Sequence, residues 1–120
     1  MAAVRKVLLV DDSMMARAIL RHAVEEVLPD AAVVEAVDGT KGFEVWQSEK
    51  PDLAIIDYNM PGENGLELAQ QIRAQAEDVR LILCTANIQH NVQQEADALG
   101  MSYINKPVNS HKLASILGVQ

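Results

Sequence analysis

Aromatic side chains are nearly absent, with one Trp, two Tyr and one Phe in 120 residues. The core must therefore come from Val, Ile, Leu, Ala and Met, a mixture typical of parallel sheets covered by helices. Cysteine is scarcer still. The lone Cys84 lies in the apolar run Leu81-Ile82-Leu83-Cys84, so it forms no internal disulfide and reads as a buried small hydrophobe suited to a reducing cytoplasm. No segment approaches the roughly 18 apolar residues of a membrane span, and the first residues lack the apolar stretch of a secretory signal. Positive charge is in deficit, with 10 Lys and Arg against 17 Asp and Glu and a net charge of −7. Such a surface repels a phosphate backbone, which excludes nucleic acid as an expected partner. A soluble, cytoplasmic, one-domain protein spanning residues 1–120 is expected, since a chain of this length buries about two thirds of its unfolded surface.

Five short apolar runs, Lys6–Val10, Ala32–Val37, Leu53–Ile56, Leu81–Cys84 and Ser102–Ile104, alternate with segments of helical periodicity. In the first helical segment Met15, Ile19, Ala23 and Val27 form one stripe with Leu20, Val24 and Leu28 beside it, and Pro29 stops it. Met15 is read as core, and Met14 as exposed and suited to docking a partner helix. Asp38-Gly39 turns the chain into a helix carrying Phe43 and Trp46, both assigned to packing, and Pro51 closes that segment. Leu66, Ala69, Ile72 and Ala76 mark a third helix. Val92, Ala96 and Leu99 mark a fourth, ended by Gly100, and Leu113 to Leu117 a short fifth. Runs apolar on both faces and joined through helices imply parallel strands with right-handed crossovers, hence a doubly wound α/β domain. The chain ends within a few residues of its fifth helix, so no output domain is expected on it.

In such a sheet ligands bind beyond the carboxyl ends of the strands. Strand one ends in Asp11-Asp12, strand three in Asp57, strand four in Thr85 and strand five in Lys106. Alone, Asp12 or Ser13 could be a plain helix cap, Asp57 a loop residue, Thr85 a backbone-satisfied hydroxyl and Lys106 a solvated charge. Together they bring three carboxylates, a hydroxyl and an ammonium to one edge. Three packed carboxylates repel unless a cation joins them, and Mg²⁺ commonly bridges one or two protein carboxylates to a phosphate. Phosphoryl transfer needs a positioned nucleophile and cations that neutralise the equatorial oxygens. Asp57 is the nucleophile candidate; Asp11 and Asp12 are placed to hold the metal, one of them through water. Lys106 supplies the second cation and Thr85 a hydrogen bond to a phosphoryl oxygen. The three histidines, His22, His90 and His111, have no metal-ligand spacing and are expected on the surface.

These residues, as Val10-Asp11-Asp12-Ser13, Asp57 within IIDYNMPGENG, Thr85-Ala86 after LILC, and Tyr103-Ile104-Asn105-Lys106-Pro107, resemble the receiver domain of two-component response regulators over essentially the whole chain. The resemblance implies a flavodoxin-like five-stranded sheet in the order 2-1-3-4-5. It implies phosphorylation of Asp57 by a sensor histidine kinase or histidine phosphotransfer protein. It also implies Mg²⁺, with Mn²⁺ as a substitute, held by Asp11, Asp12, Asp57 and the backbone carbonyl of Asn59. Thr85 and Lys106 correspond to the phosphate-contacting pair, and Thr85 and Tyr103 to a switch that remodels the fourth-helix, fifth-strand, fifth-helix face toward a separate target. Pro61, Gly62, Gly65 and Pro107 correspond to turn residues, the last in a Lys106-Pro107 bond that is usually cis in the family. Asn59 and Asn87 flank the path of an attacking water and are expected to tune the lifetime of the phosphorylated state.

Other functions fit less well. An aspartyl-phosphate hydrolase would place a second acid where Asn59 stands. A flavin module would need a phosphate-binding turn where Asp11-Asp12 repels one. A phosphorylation-independent receiver-like interaction module is the remaining alternative, but it would normally lack one of these groups. The expected role is that of a free switch docking on a separate protein, chemotaxis-like in its stand-alone architecture, or of a phosphate sink or relay between histidine proteins. In each case the chain catalyses only its own phosphorylation and dephosphorylation and is not an enzyme acting on other substrates.

Overall fold

The computed structural model describes residues 3–86 and 89–119. Strands β1 (Lys6–Val10), β2 (Ala32–Ala36), β3 (Leu53–Asp57), β4 (Arg80–Thr85) and β5 (Ser102–Asn105) alternate with helices α1 (Met14–Val27), α2 (Gly39–Glu49), α3 (Gly65–Gln75), α4 (His90–Ala98) and α5 (Ser110–Leu117). All neighbouring strands pair in parallel, in the order β2-β1-β3-β4-β5. The expected order and the doubly wound, flavodoxin-like architecture are both present. Order reverses between β1 and β3, so the crevice beyond Val10 and Asp57 is the natural ligand position.

Strand residues alternate between two cores. Leu8, Val10, Ala54, Ile56, Leu81 and Leu83 face α2, α3 and α4 through Trp46, Leu68, Ile72, Val92 and Ala96. Val7, Leu9, Leu53, Ile55, Ile82 and Cys84 face α1 and α5 through Leu20, Val24, Leu113 and Leu117. Both faces of the central strands are thus dry, which explains the unbroken apolar runs of the sequence. Trp46 is buried and stacks on Phe43 with ring centroids 5.8 Å apart, as their packing assignment required.

Local chemistry sets the helix starts. Ser13 caps α1 by accepting from Ala16 N–H at 3.1 Å, and Asn64 with Glu67 forms a reciprocal capping box at α3. Gly100 follows α4 at φ +69°, where a side chain would be strained.

One expectation fails in α1. Met15 is not core: it is 75% exposed, close to the 77% of Met14, and Ile19 is also exposed. The row Met15-Ile19-Ala23-Val27 advances four residues at a time and so drifts about 40° around the helix per step. The buried face runs instead through Leu20, Ala23 and Val24, with Ala16 and Arg17 half-buried at its start, so Met15 and Ile19 lie around the helix on its solvent side. β2 likewise stops at Ala36, leaving Val37 exposed. His22, His90 and His111 all lie on the surface, His22 facing Glu26 at 3.2 Å. Among the described residues no helix is long and apolar enough to cross a membrane.

Candidate phosphoacceptor and metal site

β1 carries Asp11 to the carboxyl edge of the sheet and β3 carries Asp57 beside it; both are buried, whereas Asp12 is exposed at the rim. One carboxylate oxygen from each of the three lies within 4.8 Å of the others. Asp11 is fixed by its own backbone surroundings. Its Oδ1 accepts from Ser13 N–H at 2.9 Å, and its N–H donates to the Ala36 carbonyl at 3.2 Å.

Lys106 enters from the far side. Its Nζ lies 3.0 Å from Asp57 Oδ1 and 3.1 Å from Asp11 Oδ2. Its backbone N–H donates to the Thr85 carbonyl at 2.9 Å, and the Lys106–Pro107 bond that follows is cis. Thr85 is buried at the tip of β4. Asn59 is exposed just past β3, and its nearby backbone N–H acts to lower the Asp57 pKa.

The electrostatics are unbalanced. Burial pushes the Asp57 pKa above its ordinary value; the hydrogen bond from Lys106 opposes this, and the neighbouring Asp11 charge adds to the rise. Burial acts to lower the Lys106 pKa, but its hydrogen bonds to Asp57 and Asp11 outweigh that and raise it. Cys84, the register partner of Asp57 on β4, is pushed by burial to about 12 and stays a neutral thiol. One ammonium therefore serves two buried carboxylates and a third at the rim. An all-oxygen donor set short of positive charge fits a hard divalent cation better than a soft one.

The turn after β3 closes against this edge. Tyr58 N–H donates to Cys84 O at 2.9 Å, and Gly65 N–H returns to Tyr58 O at 3.0 Å. A Cβ on Gly65 would stand 2.4 Å from the Asp57 carbonyl oxygen, so only glycine allows this approach. Gly62 sits at φ +77° and Pro61 is exposed beside it.

Tyr103 lies away from the carboxylates, half-buried against the core, and its hydroxyl accepts a hydrogen bond from Gln93 of α4. Asn87 falls outside the described residues.

Sequence reading overlooked two supporting residues. Arg17 donates to the Asp11 carbonyl at 2.7 Å while its Nε donates to Glu35 of β2 at 2.8 Å, and Arg21 holds the other oxygen of Glu35 at 2.6 Å. These guanidinium groups, Arg21 first, keep the Glu35 carboxyl below its usual range despite partial burial. The overlooked signal was Glu35 itself, a lone charge in the strand AVVEA.

The response regulator receiver domain family matches residues 7–118. Chemotaxis protein CheY of Listeria monocytogenes is 32% identical over 114 residues, which cover 93% of this chain and 94% of that protein. The cyclic di-GMP phosphodiesterase response regulator RpfG of Xanthomonas campestris is 32% identical over 110 residues, which cover 89% of this chain but only 29% of that protein. The chain thus spans less than a third of RpfG, and less than half of other longer curated relatives. The solved structure of chemotaxis protein CheY4 from Vibrio cholerae superposes with a TM-score of 0.85 at 29% identity, covering 97% of this chain and 98% of that one.

Proposed function

The chain belongs to the response regulator receiver domain family, and from that premise we propose that Asp57 accepts a phosphoryl group from the phosphohistidine of a sensor kinase or phosphotransfer protein. Members of this family are signalling proteins and not enzymes in the ordinary sense, and they bind Mg²⁺ at an acidic site. The observation that carries the proposal is the position of Lys106, whose single ammonium contacts both Asp57 and Asp11.

Asp11, Asp12, Asp57 and the Asn59 carbonyl would hold the metal. When bound, Mg²⁺ supplies positive charge to the phosphoryl oxygens and relieves the repulsion among the carboxylates. The Asp57 carboxylate attacks phosphorus; the P–O bond forms as the P–N bond breaks, and the histidine nitrogen leaves with the electron pair and takes up a proton. Lys106 turns from Asp57 to a phosphoryl oxygen, keeping its contact with Asp11. The Thr85 hydroxyl donates to a second oxygen. The buried position of Asp57 limits water access, and Asn59 at the rim modulates the hydrolysis that returns the carboxylate. Gly65, Gly62 and Pro61 hold the acceptor turn against β3, and Pro107 the turn that carries Lys106.

Phosphorylation shifts an existing equilibrium. As Thr85 moves toward the phosphoryl group, Tyr103 leaves Gln93 and moves inward, remodelling the surface of α4, β5 and α5 for a separate target. Residues 1–120 act as one receiver unit in this reading, in the cytoplasm, where phosphohistidine donors operate. Incubation with a radiolabelled phosphohistidine phosphotransfer protein and Mg²⁺ tests it. Label that moves to this chain and is released by hydroxylamine, as an acyl phosphate must be, supports it; label that stays on the donor, or resists hydroxylamine, contradicts it.

A further inference from the structure

Lys112, in the first turn of α5, takes no part in the site described above. Its ammonium turns back toward β5 and donates to the carbonyl of Pro107 at 2.8 Å and to that of Asn105 at 3.2 Å. These two residues flank Lys106. The Lys106 N–H is itself tied to the Thr85 carbonyl at 2.9 Å, so the segment that carries the site lysine is held at three backbone points.

Nothing in the construction of α5 requires this lysine. The start of the helix is already capped by Asn109, whose side chain accepts the Lys112 backbone N–H at 2.8 Å whatever side chain stands there. A cation in the first turn of a helix also opposes the helix dipole, so its place must be offset by other partners. The two flanking carbonyls are those partners. Lys106 in turn has a long, flexible stem, and only the position of its backbone limits where its ammonium can reach.

We infer that Lys112 is a positioning residue for Lys106: by clasping the carbonyls of Asn105 and Pro107 it fixes the turn from which Lys106 spans Asp11 and Asp57. Its role in phosphoryl transfer rests on the phosphoacceptor reading above; its grip on the turn does not.

The test compares Lys112→Met, which keeps the stem and removes the donors, with Lys112→Arg, which keeps donors, and with Lys6→Met. Lys6 pairs with Glu49 at the opposite end of β1 and controls for loss of one positive charge. Two quantities are read: the rate of phosphorylation by acetyl phosphate at saturating Mg²⁺, and amide hydrogen exchange at Lys106 without any phosphoryl donor. Lys112→Met should slow phosphorylation about 3- to 10-fold and speed Lys106 exchange about 10-fold. Lys112→Arg should restore most of both, and Lys6→Met should change neither. Equal behaviour of Lys112→Met and Lys6→Met overturns the inference. So does a slowing that Lys112→Arg does not restore and that follows a fall in Tm, which would make the role merely structural. If the wild-type chain accepts no phosphoryl group, the phosphoacceptor reading fails, and the exchange at Lys106 alone decides whether Lys112 holds the turn.

Discussion

Lys106 reaches past the tip of β4 to place its ammonium 3.0 Å from Asp57 Oδ1, and the same atom touches Asp11 at the end of β1. One side chain from the edge of the sheet thus joins two residues on its central strands. The pair is incompletely neutralised, because burial and the Asp11 charge still raise the Asp57 pKa.

The sign of that shift gives a prediction. A carboxyl group whose folded pKa exceeds its unfolded value binds more protons in the native state between the two values, so it lowers stability as pH rises through that window. Asp57→Asn should therefore raise Tm at neutral pH without metal. Saturating Mg²⁺ should stabilise wild type more than the variant, by RT ln(1 + [Mg²⁺]/Kd) for each. Thermal melts with and without Mg²⁺ check both; a variant less stable than wild type in EDTA would contradict the electrostatic account.

Glu35 behaves in the opposite way. Its pKa is held down by Arg21 and Arg17, so its stabilising contribution is present above its unfolded pKa and is lost as pH falls through the depressed folded value. Glu35→Gln should flatten the acid limb of the stability profile, measured by urea melts between about pH 2 and pH 6. It should also loosen Arg17 from the Asp11 carbonyl and weaken Mg²⁺ binding by a few fold.

Much of this was legible in the sequence for definite reasons. Both faces of the sheet are covered, so the strands read as uninterrupted apolar runs, and each run that feeds the site ends in its functional residue. The failure at Met15 is equally physical, because a row spaced by four residues drifts around the helix, and only the part through Ala23 and Val27 turns toward the core. Lys112 was illegible because it acts on backbone carbonyls, which leave no mark in side-chain patterns, and Arg17 was signalled only through its partner Glu35, the lone charge of β2. The Asp11 and Lys106 turns they hold exist only once the chain is folded.

The α1 correction is itself testable. Met14→Gln and Met15→Gln should each change stability by less than about 0.5 kcal/mol. Leu20→Ala, at a buried position of the same helix, should cost about 2–5 kcal/mol. Chemical denaturation distinguishes the two cases.

Gly65→Ala should fail at the site and not only in stability. The added carbon would meet the Asp57 carbonyl at 2.4 Å, and backbone on both sides must move to admit it. A loss of roughly 1–3 kcal/mol, with phosphorylation reduced beyond what the lower stability explains, is the expected result in melts and acceptor assays.

The most direct test of the central claim is intact mass after incubation with acetyl phosphate, with and without Mg²⁺, for wild type and Asp57→Asn. The account predicts addition of one phosphoryl group to wild type in Mg²⁺, and none when either Mg²⁺ or the Asp57 carboxylate is removed. No addition to wild type with Mg²⁺ demonstrably bound, or equal addition to Asp57→Asn, would contradict it.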